Sequence, residues 1–220
     1  MRVGPRSGLR AGALMIAPFL TGLEEMGIDV AALAGRVGLQ PASLRDPDVR
    51  VPYESFVDFV TAAVEVTGDP ALGLHLSERY RPGSFGVLDY LALSSATLGD
   101  ALDQLCRYSR LLADAAETLV EDQGDRVFVW QRMRRGIRRP PAMVENVVAN
   151  LVVIARRLTG QDLVPIEVRF MHSGPADASE HARILRAPVR FSADRDGVLM
   201  DAGSSRRARP RRTKWPRWST

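Results

Sequence analysis

Arg79-Tyr80-Arg81-Pro82-Gly83-Ser84-Phe85-Gly86-Val87-Leu88-Asp89-Tyr90-Leu91-Ala92-Leu93-Ser94-Ser95-Ala96-Thr97-Leu98 is the stretch on which the reading of the fold turns. Pro82 to Gly86 reads as a rigid turn, because proline fixes one backbone angle and the glycines permit positive φ. Such a turn sets Phe85 and Tyr90 against the helix that follows. It is too short to cradle a phosphate and lacks the lysine of a nucleotide loop, the only lysine of the chain being Lys214. Thr97 to Asp100 forms a Thr-x-x-Asp variant of the capping box, ahead of Leu98, Ala101, Leu102, Leu105 and Leu112 at helical spacing.

Upstream, Pro52-Tyr53-Glu54-Ser55-Phe56 opens a helix, with proline at its favoured first position and Glu54 at the positive end of the dipole. Tyr53, Phe56, Val57, Val60 and Val64 give it an apolar face. Gly68 caps it, and Asp69-Pro70 starts the next helix. Leu9, Ala13, Ile16, Leu20 and Leu23 mark a first amphipathic helix. Arg2, Arg6 and Arg10 before that apolar run imitate a signal peptide, but Gly12 and Pro18 break the run, and Glu24-Glu25 replaces a cleavage site. No run approaches the ~20 apolar residues of a membrane span.

Downstream of Asp114 the period changes. Glu117 to Glu121 and Arg126 to Arg132 flank the polar turn Asp122-Gln123-Gly124-Asp125 and predict a β-hairpin. Pro140-Pro141 introduces a long helix over 142–158 with Val144, Val147, Val148, Leu151, Ala155 and Leu158 as its stripe, stopped near Gly160. Val164 to His172 alternates as a strand. A helix over 176–185 follows, then a second hairpin pairing 189–192 with 198–200 around Asp194-Arg195-Asp196-Gly197. The expected fold is α+β, a predominantly helical N-terminal half packed with a small antiparallel sheet in the C-terminal half.

Among 220 residues, 45% are hydrophobic, enough for a core. Cys106 is the only cysteine, which excludes an internal disulfide and suits a cytoplasmic protein. It lies in an apolar helix and reads as a buried thiol rather than a nucleophile. His75, His172 and His181 have no metal-ligand spacing, and neither Asp46-Pro47-Asp48 nor Asp194 to Gly197 supplies a calcium loop. We therefore expect no catalytic set, no metal and no cofactor. Seven of the 30 basic residues fall in 204–220, leaving 23 basic against 26 acidic residues before it, so the basic excess belongs to the end of the chain.

Taken with Thr67-Gly68-Asp69-Pro70-Ala71-Leu72-Gly73-Leu74, Pro165-x-Glu167-Val168-Arg169-Phe170 with His172, and Ala187-Pro188-Val189-Arg190-Phe191, the turn and helices resemble the N-terminal, arabinose-binding-like domain of AraC/XylS-family transcriptional regulators. The resemblance covers roughly 14–201. It implies a domain over 8–202 that senses a small-molecule effector, and allows homodimer pairing or pairing with a full-length regulator. In that family a C-terminal helix-turn-helix domain contacts DNA, and its pattern is absent here.

Tyr90, Arg107, Tyr108, Arg110 and Asp114 on the helical side, with Trp130, Arg169 and His172 on the sheet side, are the candidate ligand-binding residues, since an effector pocket needs mixed aromatic and polar walls. Against this, Arg110 and Asp114 four residues apart also make a solvated ion pair. His172 also suits a hydrogen-bonded strand end. Residues 203–220 are expected to be a disordered arginine-rich tail, either a frameshifted end or a basic arm. In the second case Arg206, Arg207, Arg209, Arg211, Arg212 and Trp215 would grip nucleic acid. A further nucleic-acid alternative is 28–45, where Ala34, Gly38 and Leu44 have helix-turn-helix spacing. Pro47 leaves its second helix short for a major groove.

Overall fold

The computed structural model describes residues 8–40, 42–46 and 48–210. The chain opens with strand β1 (Arg10–Gly12), which runs into helix α1 (Ala13–Glu25) and pairs antiparallel with β2 (Arg50–Pro52). Between them lie α2 (Val30–Arg36), capped by Asp29, and a 3-10 turn at Ser43–Arg45. That turn stands where a recognition helix would be, and Val30, Leu33, Ala34, Leu39 and Leu44 are buried. Residues 28–45 thus form a core-packing corner, and the helix-turn-helix expectation fails for want of a second helix.

Helix α3 (Tyr53–Thr67) begins one residue after Pro52 and ends at Gly68, whose φ of 62° is the left-handed cap expected there. Then come α4 (Leu72–Glu78), α5 (Val87–Ser94) and α6 (Leu98–Tyr108). Both halves of the Thr97–Asp100 capping box are made. Asp89 explains the 82–86 turn: its carboxylate accepts from the Gly83 and Phe85 N–H groups (2.8 and 2.9 Å) and from the Tyr80 hydroxyl (2.9 Å). Tyr80 stacks on Phe85, while Tyr90 is 57% exposed, so the turn positions Tyr80 where the sequence suggests Tyr90.

The expected hairpin is β3 (Ala116–Asp122) with β4 (Arg126–Met133), and the long helix is α7 (Pro141–Thr159), closed by left-handed Gly160. Next follow β5 (Glu167–Arg169), α8 (Ser179–Leu185), β6 (Val189–Arg190), β7 (Gly197–Asp201) and α9 (Ala202–Arg207). The sheet order is β3-β4-β7-β5-β6, antiparallel except for the β5–β6 pair. This corrects the second hairpin. β5 inserts between β6 and β7, and α8 carries the chain over so that β6 runs parallel to β5. Asp196, expected in a hairpin turn, is a buried latch whose carboxylate takes Arg139 (2.8 Å) and the Met171 N–H (2.7 Å).

Helix α7 is buried almost all round, as befits a central element. Ala142 and Met143 join the core of the N-terminal helices; Val148, Val152 and Ala155 join the core on the inner sheet face, with Val129, Val168 and Val198. Residues 203 onward are expected to be unstructured, yet α9 is capped by Asp201, and Ala202 and Ala208 are buried. Among the described residues no helix is long and apolar enough to cross a membrane.

Candidate functional site

A partly open cavity of about 120 Å³ lies between the helical layer and the inner sheet face. Met15 and Phe19 of α1, Leu88 and Ala92 of α5, and Ala101, Leu102 and Leu105 of α6 supply its apolar side. Helix α7 forms the opposite wall with Val147, Leu151 and Ile154, and the hairpin adds Ala116, Thr118 and Gln131. Cavities of roughly 150 Å³ with such walls hold a benzene ring.

The polar groups of the lining are nearly all held in place. Ser109 donates to the Cys106 carbonyl (3.0 Å) and accepts from the Thr118 N–H (3.3 Å). Gln131 accepts from Arg139 (2.9 Å). Asp89 is the lining's only ionisable side chain. Burial pushes its carboxyl above the ordinary range, and its three hydrogen bonds oppose that rise. On α7, Asn146 Nδ2 donates to the Gly73 carbonyl (3.0 Å), and Asn150 Nδ2 donates to Asn146 Oδ1 (3.0 Å). Asn150 Oδ1 is buried and has no partner.

The eight candidate ligand residues are placed elsewhere. Arg107 and Tyr108 are exposed at the end of α6, and Tyr90 projects from α5. Arg110 and Asp114 share a second, surface cleft with Glu117 and Arg132. Arg110 pairs with Glu117, which two arginines hold down to about pKa 2, and Asp114 pairs with Arg50 (2.7 Å). The i,i+4 pair predicted between Arg110 and Asp114 is thus replaced by partners distant in sequence. Trp130 and Arg169 share the outer sheet face, where Arg169 and Arg195 each lie 4.9 Å from the Phe128 ring centre and Arg195 lies 4.9 Å from that of Trp130. His172 faces the buried Glu145 at 3.6 Å, beside His181 at 2.9 Å.

Cys106 is half-buried and its thiol is pushed up to about 11, mainly by burial, which keeps it protonated and weakly nucleophilic. Of the nucleic-acid alternatives, Arg206 pairs with Asp122 (3.1 Å), Arg207 folds over Gly203, and Arg209 is exposed. Arg211, Arg212 and Trp215 lie outside the described residues. The sequence reading missed the amide pair. Its signal is Asn146 and Asn150, four apart on a long helix with an apolar stripe, which places both on one face.

A helical layer packed on a mostly antiparallel sheet, with an apolar, amide-walled cavity between them, defines an α+β domain. The family profile of the arabinose-binding domain of AraC transcription regulators, N-terminal, matches residues 27–207, and the chain belongs to that family. It is 31% identical over 171 residues to the ornithine utilization regulator of Pseudomonas aeruginosa, a match taking in 77% of this chain and 50% of that protein. The chain therefore spans about half the length of that curated relative. Among solved structures it resembles the transcriptional regulator CdpR from Pseudomonas aeruginosa, with TM-score 0.56 and 18% identity over 80% of this chain and 55% of that one. A variant of Tt H-NOX aligns with TM-score 0.57 and 11% identity over 93% of this chain and all of that one. At these identities the structural likeness is one of fold alone.

Proposed function

We propose that this AraC-type domain works as a sensor, with the central cavity as its effector site, and that it is not an enzyme. The observation that carries the reading is the position of the cavity. It draws walls from α1, α5, α6, α7 and the β3–β4 hairpin, so an occupant touches every layer of the fold at once. Alkyl groups, amides and hydroxyls bind and orient a guest, and none of these is a nucleophile poised beside a base. An effector acts on attached partners only in so far as it prefers one of their arrangements, and a guest shared by both layers has the contacts for such a preference. In this reading the domain pairs with a second copy or with a full-length regulator, and DNA contact belongs to a C-terminal helix-turn-helix domain of the kind its family carries.

Thermal unfolding across amino acids including ornithine, fatty acids, sugars and aromatic acids tests sensing. A saturable rise of the midpoint with one chemical class is the expected result. No rise with any compound, in protein shown to be folded, refutes it. Sedimentation over a hundredfold range of concentration tests pairing, and a monomer throughout removes it.

A further inference from the structure

From the hydrogen-bond chain on α7 we propose that the cavity is built for an uncharged guest, an apolar body carrying one hydrogen-bond donor, with Asn150 Oδ1 as the acceptor that reads the donor. The proposal rests on the sensing reading and narrows it to a chemical class.

The orientation of the amides follows from the first link. A backbone carbonyl only accepts, so the Gly73 oxygen obliges Asn146 to present its NH2 group. Asn146 Oδ1 is then an acceptor and obliges Asn150 to present its own NH2. What remains is Asn150 Oδ1, on a side chain whose residue is only 7% exposed and which lines the cavity. Rotating the Asn150 amide would set two oxygens against each other, so the acceptor is fixed by a carbonyl two links away. A buried carbonyl oxygen without a donor costs about 1–3 kcal/mol, a cost that a hydroxyl or amide N–H of a guest relieves.

The charge of the guest follows from the rest of the lining. It holds no arginine, lysine or histidine, so a carboxylate or phosphate would lie in apolar surroundings without a counterion. Its one carboxylate, Asp89, already accepts from Tyr80, Gly83 and Phe85, so an ammonium group would compete with three donors for it. Free amino acids carry both charges, and on this proposal the cavity disfavours them on both counts.

Four aromatic probes of similar size separate the cases: benzyl alcohol, toluene, benzoate and benzylammonium. With the intact chain, benzyl alcohol should bind saturably and more tightly than toluene, and the two ions should not bind. In Asn150→Leu the preference for the alcohol over toluene should fall by about tenfold, the weight of one neutral hydrogen bond, while toluene still binds. Ala101→Leu, which fills space in the lining, should weaken both neutral probes and serves as the second variant if Asn150→Leu does not fold. Tighter binding of either ion overturns the proposal and leaves sensing intact. So does an unchanged alcohol preference in Asn150→Leu. If none of the four binds while a compound of the broader panel does, the proposed class falls alone; if nothing in either set binds folded protein, both readings fall.

Discussion

At Asp89 a single carboxylate gathers the Tyr80 hydroxyl and two N–H groups of the turn that follows it. In Asp89→Ala these donors are left buried without an acceptor, and the expected loss is about 3 kcal/mol, seen as a lower urea midpoint. Asp89→Asn, which keeps one oxygen, should lose less. Equal midpoints for wild type and Asp89→Ala would show that the turn holds itself. The sequence makes the turn legible through Pro82, Gly83 and Gly86, because those residues act locally. It does not show that Tyr80 closes it, since the bond to Asp89 crosses nine positions and leaves no periodic trace. The same limit hides the site: Arg110, Asp114 and Trp130 look like ligand groups by type, yet their partners are Glu117, Arg50 and Arg195.

The helices show where elements lock together. Gly73 of α4 packs so closely on α7 that an added Cβ would stand 2.0 Å from the Ala142 carbonyl oxygen. Gly73→Ala must therefore push the helices apart, with an expected cost of about 2–3 kcal/mol from overpacking and a weakened Asn146 bond. Calorimetry would measure it, and an unchanged melting temperature would contradict the contact.

A second joint is pH-sensitive. His75 of α4 lies between Asp69 (2.6 Å) and Glu180 of α8 (2.8 Å), and Arg183 also reaches Glu180 and Glu78. Burial opposes the imidazolium, but the two carboxylates outweigh it and raise the His75 pKa. A raised folded pKa stabilises fully below the unfolded value of about 6.5 and ceases to do so as pH rises through the folded value. Glu180, held down from 4.5 to about 2 by Arg183 and then His75, keeps its full share above the first value and loses it as pH falls through the second. The melting difference between wild type and His75→Gln should thus be largest near about pH 5.5 and close to nil at about pH 9. A difference independent of pH would mean the histidine acts by packing alone.

Long elements such as α3, α7 and the β3–β4 hairpin are legible because their burial repeats over many residues. The three-residue β1 and β2 are too short to show a period, and β6 finds β5 only because α8 swings it there.

Across the whole molecule, two packed cores are stitched by α7, and the chain returns at its described end to pack on α6 and join the core on the inner sheet face. Ala202, Ser205 and Ala208 are buried there, against an expectation of disorder drawn from arginine-rich composition. Composition misled because Ala202, Ser205 and Ala208, and not the arginines beside them, are the residues buried against the protein. A chain ending at Pro210 should therefore melt higher than one ending at Asp201; equal melting temperatures would make α9 an ornament.

The first N–H of a helix has no partner within that helix. At α6 that N–H, on Leu98, is held by the carbonyl of Ala208 (2.8 Å), and the Leu98 side chain is part of the cavity wall. One residue is thus both part of the cavity wall and an anchor for the segment that follows α9. On the proposed sensor reading, a guest that displaces Leu98 would pull on the Ala208 carbonyl it holds, and the prediction is that occupancy alters the segment after α9 before it alters the sheet.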